Sequence, residues 1–127
     1  MMQQHEYIAV VDDDESVRES LPDLIGVFGY KAVAFASANE FLASGMVDQV
    51  KCLVLDIAMP GMSGIELQRE LARQGRRIPI VFITAHGDEQ VCHRLRQGGS
   101  VECLLKPFTD TALHDALDAV LRSGSSP

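Results

Sequence analysis

The chain has 127 residues, 46% of them apolar and 23% charged, which suits one soluble domain with a real core. Its formal net charge of −7 argues against a chain that grips nucleic acid by itself, since that needs Lys and Arg on phosphates, and it is compatible with cation binding or a solvated acidic surface. No apolar run approaches the ~18 residues needed to cross a bilayer, and the opening MMQQHEY has no basic region followed by an apolar stretch, so no secretory signal is expected.

Tyr7 to Val11 is an apolar run that ends in Asp12-Asp13-Asp14-Glu15, a first strand followed by an acidic turn. From Ser16 to about Phe28, Val17, Leu21, Leu24, Ile25 and Phe28 mark one helical face. Pro22 sits inside this pattern and is expected to bend the helix or move its start later, and Gly29 ends it. Lys31 to Phe35 reads as a second strand. Ser37 and Glu40 have capping-box spacing before a short helix over Ala38 to Ser44. Cys52 to Leu55 is a third strand that stops at Asp56, before a turn with Pro60, Gly61 and Gly64. Met59, Pro60 and Met62 are read as part of the turn that positions Asp56. Ser63 and Glu66 repeat the capping-box pattern and open a helix to about Gln74.

Ile80 to Ile83 forms a fourth strand ending at Thr84, then the loop Ala85-His86-Gly87. Asp88 is a candidate cap for a helix to about Gln97, and Gly98-Gly99 breaks the chain. Val101 to Leu105 is a fifth strand ending at Lys106-Pro107. Thr109 or Asp110 caps a last helix, with Leu113, Leu117, Val120 and Leu121 on one face. The tail from Ser123 to Pro127 is linker-like. Five alternations of strand and helix demand an α/β fold, a parallel sheet with helices on both faces. The three Cys are an odd number without zinc-ligand spacing, and they are expected to be reduced, packed thiols of a cytoplasmic protein.

Functional groups gather at the carboxyl ends of the strands, where open α/β sheets bind ligands. The first strand supplies Asp12 and Asp13, the third Asp56, the fourth Thr84 and the fifth Lys106. Three carboxylates ~4 Å apart would repel by roughly 4 kcal/mol per pair at an effective dielectric of about 20. Either some protonate or a cation joins them. Oxygen ligands alone point to Mg²⁺. With Lys106 and Thr84 beside one carboxylate, the set suits phosphoryl transfer, and Asp56 is the candidate nucleophile.

These residues resemble the receiver domains of bacterial two-component response regulators. The resemblance runs from about Tyr7 to Arg122 and rests on VVDDDESVR, LDIAMPGMSG, ITAHGD and LLKPF, in the family's order. The wording is closest to the nitrogen-fixation and nitrate-type regulators. The resemblance implies a flavodoxin-like, doubly wound five-stranded sheet of order 2-1-3-4-5 with five helices, a receiver over residues 1–122 and a tail over 123–127. It implies that Asp56 accepts a phosphoryl group from a sensor histidine kinase, and that Thr84 and Lys106 hold the phosphoryl oxygens. Asp13, Asp56 and the backbone carbonyl of Ala58 would ligate Mg²⁺, with Asp12 acting mainly through a water. Asp14 would stand outside the set, and Lys106-Pro107 would be a cis peptide. The implied module catalyses only its own loading and hydrolysis. It would signal through the face of the last two helices and the strand between them, to a second copy or to an output domain controlling transcription.

One position departs from the family pattern. An aromatic switch residue is usual three places before the Lys, and here it is Cys103. A thiol cannot fill a ring's volume, so the signal is expected to travel through the loop from Thr84 to Asp88 and the following helix, with Cys103 read as a small packed hydrophobe in preference to a redox sensor. His86 is read as lining the rim of the site, and Arg94 and Arg96 as a solvated face. Three rival readings are weaker. An aspartyl-phosphate phosphatase would place its nucleophile on the first strand, an unphosphorylated scaffold would not need the full acidic set, and a flavin binder would need a hydroxyl-rich loop after the first strand.

Overall fold

The computed structural model describes residues 7–85, 89–97 and 101–125. Five strands, β1 (Tyr7–Val11), β2 (Lys31–Phe35), β3 (Val50–Asp56), β4 (Ile80–Thr84) and β5 (Val101–Leu105), form one parallel sheet in the order β2-β1-β3-β4-β5. Helices α1 (Glu15–Val27), α2 (Ala38–Ala43), α3 (Gly64–Arg73), α4 (Glu89–Arg96) and α5 (Asp110–Ser125) connect and cover them. The expected fold class and strand order are both observed. Among the described residues no helix is long and apolar enough to cross a membrane.

Strand side chains alternate between the two faces of the sheet, and so the core divides in two. Ala9, Val11, Leu53, Leu55, Phe82 and Cys103 point to one side, where they meet Phe41 of α2, Leu67 and Leu71 of α3 and Cys92 of α4. Ile8, Val10, Cys52, Val54, Val81 and Ile83 point to the other, against Leu21 and Ile25 of α1 and Leu113 and Leu117 of α5. The central strands β1, β3 and β4 are buried on both faces, which is why they read as unbroken apolar runs.

Several local details differ from the expectations. Pro22 does not delay α1. The helix starts at Glu15, because the Asp14 side chain accepts from the Ser16 amide at 2.9 Å and caps it. Asp14 is thereby spent as a cap. Gly29 follows with φ of 99°, a conformation that side chains disfavour. In α2, Ser37 Oγ accepts from Glu40 N, but Glu40 reaches past the cap to the Ala36 amide at 2.6 Å. In α3 the capping box of Ser63 and Glu66 is complete. The ambiguity at the last helix resolves to Thr109, whose hydroxyl accepts from Ala112 N at 3.0 Å. That helix continues to Ser125, three residues into the stretch read as linker-like. Nothing in Ser123-Gly124-Ser125 forbids helix.

The cysteine expectation needs correction. Cys52 is a free, buried thiol as read, but Cys92 and Cys103 are joined in a disulfide between α4 and β5. Eleven residues apart in sequence, they face each other because β5 runs beneath α4. An odd cysteine count says nothing about which two meet.

Candidate functional site

The parallel ladder brings every polar strand end to one edge. Asp12 follows β1 directly, and its amide continues the ladder by donating to the Phe35 carbonyl at 3.1 Å. Asp56 closes β3 in register with Ile83 of β4. The Ile57 amide then donates to the Ile83 carbonyl, so the chain leaves the sheet one residue after Asp56. Thr84 closes β4. The Lys106 amide donates to the Thr84 carbonyl at 2.9 Å, which sets the lysine beside it. The Lys106-Pro107 peptide is cis.

Oxygen atoms of Asp12, Asp13 and Asp56 lie within 4.8 Å of one another. Their exposures differ: Asp12 is fully buried and Asp56 is 8% exposed, whereas Asp13 lies open to solvent. Asp12 Oδ1 accepts from the Asp14 amide at 2.9 Å. Its Oδ2 is buried and accepts no hydrogen bond, although Lys106 Nζ stands 3.4 Å away. A buried carboxylate oxygen without a donor is costly. It is the acceptor a hard cation would satisfy, and with the neighbouring carboxylates it gives the donor set Mg²⁺ prefers. The residues present therefore fit the ion.

Asp56 Oδ1 accepts one long bond, 3.3 Å, from the Ala58 amide. Burial, and then the adjacent Asp12 charge, push the Asp56 carboxyl from 3.8 up to about 7, with Lys106 and the Ala58 amide pulling the other way. A cation in the cluster would reverse that balance and return Asp56 to the carboxylate. Thr84 is 1% exposed, and its hydroxyl donates to the Ala85 carbonyl at 3.1 Å. His86 and Asp88 lie outside the described residues.

Two contributors were missed in the sequence. Arg18 donates from Nη1 to the Asp12 carbonyl at 3.1 Å, tying α1 to the acidic turn. Its place one turn into the helix that follows the aspartates was the available signal. Gly64 packs against the backbone of Asp56 and Ile57, where no side chain fits. Its place after Pro60 and Gly61 suggests only a turn. Arg96 is not purely solvated either, since its guanidinium meets Glu102 and the Cys103 carbonyl.

A carboxylate beside two more, with a lysine and a buried threonine at the ends of the neighbouring strands, makes an acidic pocket at the carboxyl edge of a doubly wound sheet. The chain belongs to the response regulator receiver domain family, whose model matches residues 8–118. It is 50% identical over 112 residues to nodulation protein W of Bradyrhizobium diazoefficiens, which covers 88% of this chain and 49% of that protein. Among solved structures, the response regulator StyR matches with a TM-score of 0.82 and 48% identity, covering 91% of this chain and 59% of that one. FixJ-N matches with a TM-score of 0.79 and 34% identity, covering 96% of each chain. The chain spans about half the length of curated relatives such as nodulation protein W and the response regulator TmoT of Ectopseudomonas mendocina, at 49% and 56%.

Proposed function

We propose that this receiver takes a phosphoryl group from the phosphohistidine of a sensor histidine kinase onto Asp56. The observation that carries this is the convergence of Asp12, Asp13 and Lys106 on a nearly buried Asp56. An Asp56 oxygen attacks phosphorus, the P–N bond breaks, and the imidazole keeps the electron pair and takes up a proton. Asp12, Asp13, Asp56 and the Ala58 carbonyl would hold Mg²⁺, which supplies charge neutralisation at the transferring group. Lys106 and Thr84 hold the phosphoryl oxygens. Lys106 needs only to exchange one anionic partner, Asp12, for another.

The added charge then biases two arrangements of the face made by α4, β5 and α5. That face is offered to a second copy or to an output domain that controls transcription. Relatives named as transcriptional regulatory proteins, FixJ of Azorhizobium caulinodans among them, support this reading. The experiment is incubation with acetyl phosphate and Mg²⁺, followed by intact mass. The expected result is one base-labile phosphoryl group, absent from Asp56→Asn. Labelling that persists in Asp56→Asn overturns the assignment.

A further inference from the structure

We propose that Cys92 and Cys103 are a reversible dithiol–disulfide site, oxidised by hydroperoxides, that clamps α4 to β5. Cys103 sits mid-strand on β5, in register with Phe82, and projects into the core cluster beneath α4. Cys92 is the buried residue of α4 among its described side chains, with Val91 and Leu95 only half-buried. Their Cα atoms are 5.9 Å apart, within the ~4.4–6.8 Å a disulfide spans, and the sulfurs are bonded. The pairing is selective. Cys52 belongs to the core on the opposite face of the sheet, out of reach of both.

The clamp matters because, among the described residues, few side-chain contacts hold α4 to β5. It is an eight-residue helix. Besides Leu95, packed against the core, its described side-chain ties to β5 are the Arg96 contacts, 3.5 Å to Glu102 and 3.3 Å to the Cys103 carbonyl. Arg96 and Glu102 are both partly solvent-exposed, where an ion pair contributes little. With the thiols reduced, α4 can shift over β5. With the disulfide formed, its central turn is fixed to the strand.

The chemistry balances with a hydroperoxide as oxidant. One thiolate attacks the terminal peroxide oxygen, the O–O bond breaks, and the alcohol or water leaves with a proton while a sulfenic acid forms. The second sulfur attacks that sulfenic sulfur, the S–S bond forms, and the S–O bond breaks to release water. Two thiols have given two electrons, and a dithiol reductant returns them.

The consequence for signalling rests on the receiver reading above. In the oxidised form Asp56 is still loaded, but the α4–β5 face no longer responds to it. The test uses the whole chain, reduced with dithiothreitol, freed of it and treated with hydrogen peroxide. The expected intact mass falls by two hydrogens, with a Cys92–Cys103 cross-linked peptide that dithiothreitol abolishes. Amide exchange across α4 should slow by about tenfold on oxidation. Cys92→Ser and Cys92→Ala should remove the redox difference. No cross-link, or a cross-link that leaves α4 exchange unchanged, overturns the proposal. Acetyl phosphate and Mg²⁺ are then added to both forms. Equal mass gain with an α4–β5 exchange response only in the reduced form supports the gating, and an equal response in both overturns it. Absence of phosphoryl gain in either form defeats the receiver reading instead, and the mass and exchange results still decide the clamp.

Discussion

Gly64 is packed against the carbonyl of Asp56 so closely that a methyl group cannot enter. A Cβ at residue 64 would stand 3.1 Å from both the Asp56 carbonyl carbon and the Ile57 Cα, and nearer still to the Asp56 oxygen. The Gly64 amide meanwhile donates to the Ile57 carbonyl at 2.9 Å. The first turn of α3 is therefore pressed onto the end of β3, and backbone leaves no flexible tip to move aside. Gly64→Ala should destabilise the fold by about 1–3 kcal/mol and reduce phosphoryl loading of Asp56 by displacing it. Urea unfolding and acetyl phosphate labelling measure the two. An unchanged midpoint with full labelling would show that the loop yields freely.

The acidic pocket sets a pH dependence in metal-free protein. The folded-state value for Asp56, about 7, lies above the ordinary 3.8, so folding favours the protonated form. That stabilisation is fully present below the ordinary value and is lost as pH rises through about 7. Asp56→Asn keeps an uncharged side chain at every pH. It should be more stable than the parent at pH 8, on the order of 1–4 kcal/mol from ~1.4 kcal/mol per pH unit separating the two values. The gain should shrink toward pH 4. Melting curves in a chelator across this range decide it, and a pH-independent difference would place the effect elsewhere.

Magnesium should oppose the same repulsion. Addition at about 100 times its dissociation constant should stabilise the parent by ~2.7 kcal/mol. Asp13→Asn should lose most of the response, since Asp13 is the solvent-facing member of the three. If Asp13→Asn and the parent gain equally in a thermal scan, the ion sits elsewhere.

Cys52 should resist alkylation. Its thiol is buried, raised to about 12, and packed with Leu113 and Leu117 in one core. Native, reduced protein treated with iodoacetamide should retain an unmodified Cys52 until the fold opens in denaturant. Labelling at the rate of a free thiol peptide would contradict that burial.

Much of this molecule is legible in its sequence because its signals are local. Strands buried on both faces appear as apolar runs, and each polar strand end marks the same edge. Ser37, Ser63 and Thr109 announce helix starts within three residues of themselves. The contacts that escaped are between distant positions or depend on backbone geometry. Cys92 and Cys103 meet only once β5 is laid beneath α4. Gly64 serves by lacking a side chain, and a glycine in a turn-rich stretch has too many ordinary explanations for its spelling to reveal this. Of the two effects expected of Pro22, the later helix start does not occur, because the Asp14 side chain caps α1 ahead of the ring.

The sheet is also a partition. Val11 and Leu55 serve the core under α2, α3 and α4, while their neighbours Val10 and Val54 serve the one under α1 and α5. Leu71 and Leu117 fall in separate clusters on opposite sides of the sheet, so their substitution energies should add. Leu117 and Leu71 can thus drift independently over evolutionary time. The α1–α5 side can be retuned for stability while the side bearing the Cys92–Cys103 link keeps its own arrangement.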